Sequence, residues 1–106
     1  MKRGEVWWVN FEPSIEGEIR KKRPAVIVSN NAANQFLNRV QVIPLTSNVD
    51  KLYPSEAYVT LRGKKAKAMA DQFTTVRKKR LINQAGTVSK TEIEGILRAI
   101  AIQLDL

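Results

Sequence analysis

Between Glu5 and Phe11 the chain alternates so that Trp7, Val9 and Phe11 share one side of an extended segment and Val6 and Trp8 the other. This predicts a strand with both faces at least partly covered. Glu12 to Lys22 has no apolar period and contains Pro13 and Gly17, so it reads as a long loop of the kind that often carries function. Pro24 to Ser29 is a continuous, largely β-branched run, which predicts a central strand whose proline stands first, where no ladder donor is needed. A short helix or turn capped by Asn30 or Asn31 follows, then a strand over Val40 to Thr46 in which Pro44 argues for an edge or a bulge. Beyond a loop at Val49 to Ser55 come a strand at Glu56 to Leu61, a turn at Arg62-Gly63-Lys64 and a small-residue strand over Ala66 to Asp71. Thr74 to Leu81 carries the basic run Arg77-Lys78-Lys79-Arg80, and Ala85 to Val88 is short and extended around Gly86. Ser89-Lys90-Thr91-Glu92 fits a capping box, after which Ile93, Ile96, Leu97, Ile100, Ala101 and Leu104 fall on one helical stripe suited to docking on a sheet. Several short strands and one terminal amphipathic helix predict a mainly β, α+β fold, a strongly curved sheet or open barrel.

At 106 residues the chain has the size of one domain with one core, taken here as residues 1 to 106. Its net charge of +8 points to a polyanionic partner, nucleic acid first. Membrane binding ranks low, because no apolar run approaches 18 residues and no helix pairs a basic face with an aromatic one. The N-terminal segment lacks the features of an export signal, so a cytoplasmic protein is expected. There is no cysteine and no histidine, which removes disulfides, thiol and imidazole chemistry and the usual transition-metal ligands. No metal or other cofactor is expected.

The remaining chemistry falls to Arg, Lys, Thr, Ser, Asp, Glu and Tyr. Arg23 is the sharpest candidate: a residue before proline is pushed toward extended geometry, which holds its guanidinium at a strand's lip where several fixed donors can meet a phosphate. Arg20, Lys21 and Lys22 extend the charge, although such a run is commonly just a solvated patch. Thr46 ends a strand and its hydroxyl can donate to the same phosphate, while strand-end threonines, like Ser47 and Asn48, ordinarily satisfy turns. Asp71, with Gln72 beside it, could take or relay a proton or simply pair with a nearby cation; Glu18 in the first loop is a second carboxylate. Among the aromatics, Phe11 and Tyr53 adjoin loops and are the better candidates to stack a base.

The ordered phrases Lys2-Arg3-Gly4-Glu5-Val6-Trp7, Arg23-Pro24-Ala25-Val26-Ile27-Val28-Ser29-Asn30, Pro44-Leu45-Thr46-Ser47 and Asp71-Gln72, closed by an Ile-rich helix, resemble the MazF and PemK (Kid) toxin endoribonucleases over nearly the whole chain. The resemblance implies an SH3-like barrel with a C-terminal helix, a homodimer, and metal-independent cleavage of single-stranded mRNA. It also implies an antitoxin whose disordered acidic tail occupies the RNA groove. Position by position, the family's catalytic arginine matches Arg23, its strand-end threonine Thr46, and the acidic residue before glutamine Asp71. Two residues of the PemK branch have no counterpart: an arginine falls at Met69, and a first-loop histidine falls near Gly17 and Glu18.

RNA carries its own nucleophile, the 2′-hydroxyl, so orienting it in line with the phosphorus and stabilising the developing charge suffices for cleavage. The expected products are a 2′,3′-cyclic phosphate and a 5′-hydroxyl. Arg23 would clamp the phosphorane and Thr46 add a second hydrogen bond, with the proton going to Asp71, Glu18 or water. A non-catalytic RNA- or DNA-binding module is the competing class, and a subunit that only holds an acidic peptide is a third.

Overall fold

The computed structural model of the chain describes residues 1–12 and 21–106. Among these, seven strands form one antiparallel sheet: β1 (Glu5–Asn10), β2 (Lys22–Ile27), β3 (Arg39–Thr46), β4 (Glu56–Leu61), β5 (Lys64–Met69), β6 (Thr74–Arg77) and β7 (Leu81–Thr87). The order is β4-β5-β3-β2-β1-β7, with β6 laid on β3. Helix α1 (Asn31–Phe36) joins β2 to β3, and α2 (Lys90–Leu104) follows β7. The sheet curls until its two ends meet. Arg62, in the β4–β5 turn, donates Nε–H to the Ala85 carbonyl of β7 at 2.8 Å, and a Cβ on Gly86 would lie 2.9 Å from Leu61 Cδ1. No helix among the described residues is long and apolar enough to cross a membrane.

The unbroken apolar run before Ser29 is explained by two cores on opposite faces of the sheet. Val26 and Val28 join Val6, Ile43, Leu45 and the helix residues Ile96 and Ala99, whereas Ala25 and Ile27 join Val9, Val40, Val42, Val76 and Leu81. A strand buried on both sides needs no polar alternation. β1 divides the same way, with Trp7 and Phe11 packed on the second core and Trp8 turned out to solvent.

Pro44 does not mark an edge, since β3 is the most heavily paired strand. Val28 donates to Gln41, and hydrogen-bonded pairs alternate along an antiparallel ladder, so Ala25↔Pro44 is a non-bonded pair and the proline nitrogen faces away from β2. On that side β3 leaves β6 after Val42 and meets β5 at Leu45. The missing donor falls in the gap.

The β4–β5 turn is tight, with Arg62 at φ 52° and Gly63 at φ 78°, as a two-residue hairpin of primed type requires. β5 therefore starts at Lys64, earlier than the sequence suggests, and Asp71 lies not at a strand end but in the 3-10 turn Ala70–Gln72. The alanines Ala66, Ala68 and Ala70 all face the first core.

Ser89 and Glu92 form the expected capping box of α2. Glu92 also accepts the Thr60 N–H of β4 at 2.6 Å, tying the cap to the sheet. Replacing Ser89 by alanine should lower stability by about 1 kcal/mol in a urea titration; an unchanged midpoint would show that this cap contributes nothing. The docked stripe differs from the expected one. Ile96 and Ala99 are buried and Ile93 and Ile100 pack against them, but Leu97 and Leu104 remain exposed. The helix is rolled so that its small residues approach the sheet: a Cβ on Gly95 would lie 3.9 Å from Ala57 Cβ. Hydrophobic periodicity weighs the large side chains, while close approach selects the small ones.

Candidate active site

β2 and β3 run antiparallel with Ala25 opposite Pro44, and continuing that register sets Arg23 opposite Thr46. Arg23 is also paired with Val9 of β1, and Thr46 with Lys67 of β5. The two leading candidates, 23 residues apart in the chain, thus end neighbouring strands at the same rim. Here the sheet opens into a groove of about 1110 Å³. Lys21, Lys22 and Arg23 border it from the β2 side, Thr46 and Ser47 from β3, and Arg62, Lys64 and Lys65 from the β4–β5 hairpin, with Trp8 an aromatic wall. The described lining holds six cations and no carboxylate. A concave, single-sign surface of this kind concentrates polyanions.

Arg23 is half-buried, and among the described residues its side chain makes no hydrogen bond or ion pair. Its backbone is fixed by the strand. The base of the first loop is tied down around it: Phe11 N–H bonds the Lys21 carbonyl at 3.0 Å, and the Glu12 carboxylate accepts Lys21 N–H at 2.6 Å. Lys21 itself has φ 64°, an uncommon conformation for a residue other than glycine. Arg80 donates to the Asn10 carbonyl at 3.0 Å and also to that of Glu12. Part of the second basic run therefore serves the first loop.

Thr46 fulfils the ordinary expectation and leaves room for the other. Its Oγ1 accepts the Asn48 N–H at 3.2 Å, while Asn48 Oδ1 accepts the Asp50 N–H at 3.3 Å. A hydroxyl that accepts one bond still has its proton to donate. The loop beyond is riveted from below. Lys67, only 6 % exposed, donates Nζ–H to Glu56 Oε1 at 2.9 Å and to the Lys51 carbonyl at 2.5 Å; Glu56 Oε1 also accepts Tyr53 N–H, and Tyr58 donates to the Val49 carbonyl.

The other candidates lie elsewhere. Asp71 and Gln72 follow the C-terminal end of β5, whereas the groove is lined by its N-terminal residues Lys64 and Lys65. Phe11 packs on the second core, Asn48 serves the turn, and Tyr53 stands exposed over the Lys67 ammonium, 5.7 Å from its ring centre. None of these five lines the groove. Glu18 and Arg20 lie outside the described residues. Trp8, Arg62, Lys64 and Lys65 line the groove without standing among the site residues expected from the sequence, which reads Trp8 as a strand residue and Arg62 and Lys64 as a turn; the signal for the cations is their cluster around Gly63. Among the described residues no three acidic side chains gather as a metal site would require.

Fold and groove define a small basic β-barrel shaped to hold a polyanion. A family model of PemK-like, MazF-like toxins of type II toxin-antitoxin systems matches residues 2–104. Endoribonuclease MazF9 of Mycobacterium tuberculosis (strain ATCC 25618 / H37Rv) is 36% identical over 115 residues, covering 100% of this chain and 98% of that protein. Endoribonuclease toxin MazF of Escherichia coli (strain K12) is 29% identical over 100 residues, covering 93% and 89%. MazF of Deinococcus radiodurans superposes with a TM-score of 0.88 at 23% identity, covering 100% of this chain and 97% of that one, which speaks for the fold alone. A mycobacterial endoribonuclease solved in complex with its cognate antitoxin gives a TM-score of 0.84 at 25% identity, covering 100% and 96%. The chain belongs to the PemK-like, MazF-like toxins of type II toxin-antitoxin systems.

Proposed function

We propose that this toxin is a metal-independent, sequence-specific endoribonuclease that cleaves single-stranded mRNA by attack of the 2′-hydroxyl on the adjacent phosphorus. The observation that carries this reading is the placement of Arg23 and Thr46 across one strand pair at the rim of a cationic groove. Arg23 clamps the scissile phosphate and neutralises the phosphorane, and the Thr46 hydroxyl donates a second bond. The O2′–P bond forms, the P–O5′ bond breaks with the departing O5′ taking a proton from water, and the products end in a 2′,3′-cyclic phosphate and a 5′-hydroxyl. Arginine stays protonated and cannot serve as the base. With no carboxylate on the described walls, water receives the 2′-hydroxyl proton ahead of Asp71, whose turn lies at the other end of β5; Glu18, the other candidate acceptor, lies outside the described residues.

Labelled single-stranded RNA incubated with the pure protein in EDTA should give discrete fragments bearing these ends. Intact RNA in a shifted band would instead make the protein a binding module. Affinity should fall with salt, by about 0.7 in log units per phosphate and therefore with a slope near −4 if all six cations engage. A flat response would contradict the charge argument.

The same groove suits the acidic tail of an antitoxin, which would compete with RNA for these cations. The cytoplasm, where transcripts are found, is the proposed place of action. A homodimer is supported by Leu97 and Leu104, seven residues apart on a face of α2 that the barrel leaves uncovered. Sedimentation equilibrium reads it directly: a monomer at high concentration would leave that face unexplained.

A further inference from the structure

The second basic run does not belong to the groove. Arg77 of β6 is paired directly with Arg39 of β3, an arrangement in which like charges oppose each other and cost stability. Among the described residues neither meets a carboxylate, the ion pairs there being Met1 N-terminus with Glu5 and Lys67 with Glu56. Among the described residues Arg39 reaches the Asn38 side chain alone, at 3.5 Å, and Lys79, exposed, follows Arg77 by two positions. Both arginines are exposed, so solvent screens their repulsion and leaves two adjacent guanidiniums open to an external anion.

One exposed aromatic stands beside this pair, and a second lies around the rim on the face of the sheet that carries Val40 and Val76. Phe36, 79% exposed, ends α1 three residues before Arg39. Lys78 joins α1 to the basic run, its backbone N–H on the Asn38 carbonyl and its ammonium on the Asn34 carbonyl. It also lines a pocket of about 560 Å³ with Lys2, Trp7, Asn31 and Gln35. Trp7 is held there by its indole N–H on Glu5 Oε1 at 2.8 Å. The eight residues of β3 separate Arg39 from Thr46 by roughly 23 Å at the usual rise per residue, so this corner is a different place from the groove.

We propose that the α1–β3 corner is a second binding site for single-stranded RNA, which holds the transcript outside the catalytic groove. Arg39, Arg77, Lys79 and Lys2 take backbone phosphates, Phe36 and Trp7 stack bases, and the Asn31 and Gln35 amides meet base edges. A purely acidic peptide segment would use the charges but leave the aromatics idle. The inference rests on RNA being the polymer recognised, and not on cleavage.

The test compares an RNA of about 8 nucleotides, enough for one site, with an unstructured one of about 30 carrying the same cleavage sequence. The triple variant Arg39→Gln, Arg77→Gln, Lys79→Gln should bind the long RNA some 10- to 100-fold more weakly in 0.1 M salt, with a salt slope shallower by about 2. It should cleave the short RNA at the wild-type rate, and its thermal midpoint should not drop, because a repulsion has been removed. Phe36→Ala alone should weaken long-RNA binding about tenfold through lost stacking. Unchanged long-RNA affinity in both variants would remove the second site, as would an equal loss on both RNAs. Poly-glutamate that loses affinity for the triple variant by the same factor as the long RNA, with Phe36→Ala weakening neither, would give the corner to an acidic protein and overturn the proposal. Wild-type protein that binds the long RNA in this pattern yet cuts nothing would sink the nuclease reading alone.

Discussion

Arg23→Ala is expected to cut RNA cleavage by about 10² to 10³, the usual consequence of losing one donor to a developing oxyanion, roughly 3 to 4 kcal/mol. The loss should fall on kcat. Binding should weaken only by the share of one phosphate contact, about 0.7 in the salt slope, because the other groove cations Lys21, Lys22, Arg62, Lys64 and Lys65 remain. Arg23→Lys should restore little, since an ammonium is a point charge without the planar fork that grips two phosphoryl oxygens. Single-turnover cleavage beside fluorescence anisotropy separates the two effects. Cleavage that survives in Arg23→Ala would take this guanidinium out of the mechanism, whatever the affinity did.

Glu56→Ala is expected to be the most destabilising single change outside the apolar cores. Its carboxylate sits against the Lys67 ammonium at 2.9 Å in a site where the two side chains are only 11% and 7% exposed. Removing one member of such a pair leaves an uncompensated buried charge, at a cost of about 3 to 5 kcal/mol. For a domain of this size that corresponds to a fall in Tm of more than about 10 °C. Glu56 also accepts Tyr53 N–H, and Lys67 holds the Lys51 carbonyl, so the loop after Thr46 loses its anchor as well. The double change Lys67→Met, Glu56→Leu should recover much of the stability, because replacing both ions with apolar groups removes the desolvation cost. A Glu56→Ala protein that melts within a degree or two of the wild type would show that water already reaches Lys67.

Much of the architecture could be read from local pattern. The both-sided strand at Glu5, the apolar run at Ala25 to Val28, the capping box at Ser89 and the glycine turn at Gly63 depend on neighbours in sequence, and each is found in the structure. Pro44 misled because a proline excludes a hydrogen bond on only one side of a strand. Which side that is, and whether a neighbour waits there, depends on β6 ending and β5 beginning. The α2 stripe was half right, since the roll of a helix is chosen by the surface it meets.

The residues of the site show the same division. Arg23 and Thr46 were visible because each stands at the end of a strand, held there by chemistry local to the chain: an X-Pro bond in one case, a hydroxyl-bearing turn in the other. That they face each other, and that Arg62, Lys64, Lys65 and Trp8 complete their groove, follows from strand register and from the curl that brings the β4–β5 hairpin to that rim. Asp71 appeared equivalent to them in one dimension, yet its turn follows the opposite end of β5 from the residues that line the groove. Charge, element types and the available functional groups are legible in the residues alone, because those depend on side-chain chemistry and short-range sterics. Which cations converge, which lysine is buried and which arginines are left opposed emerge from the folded arrangement, because these are distances between residues far apart along the chain.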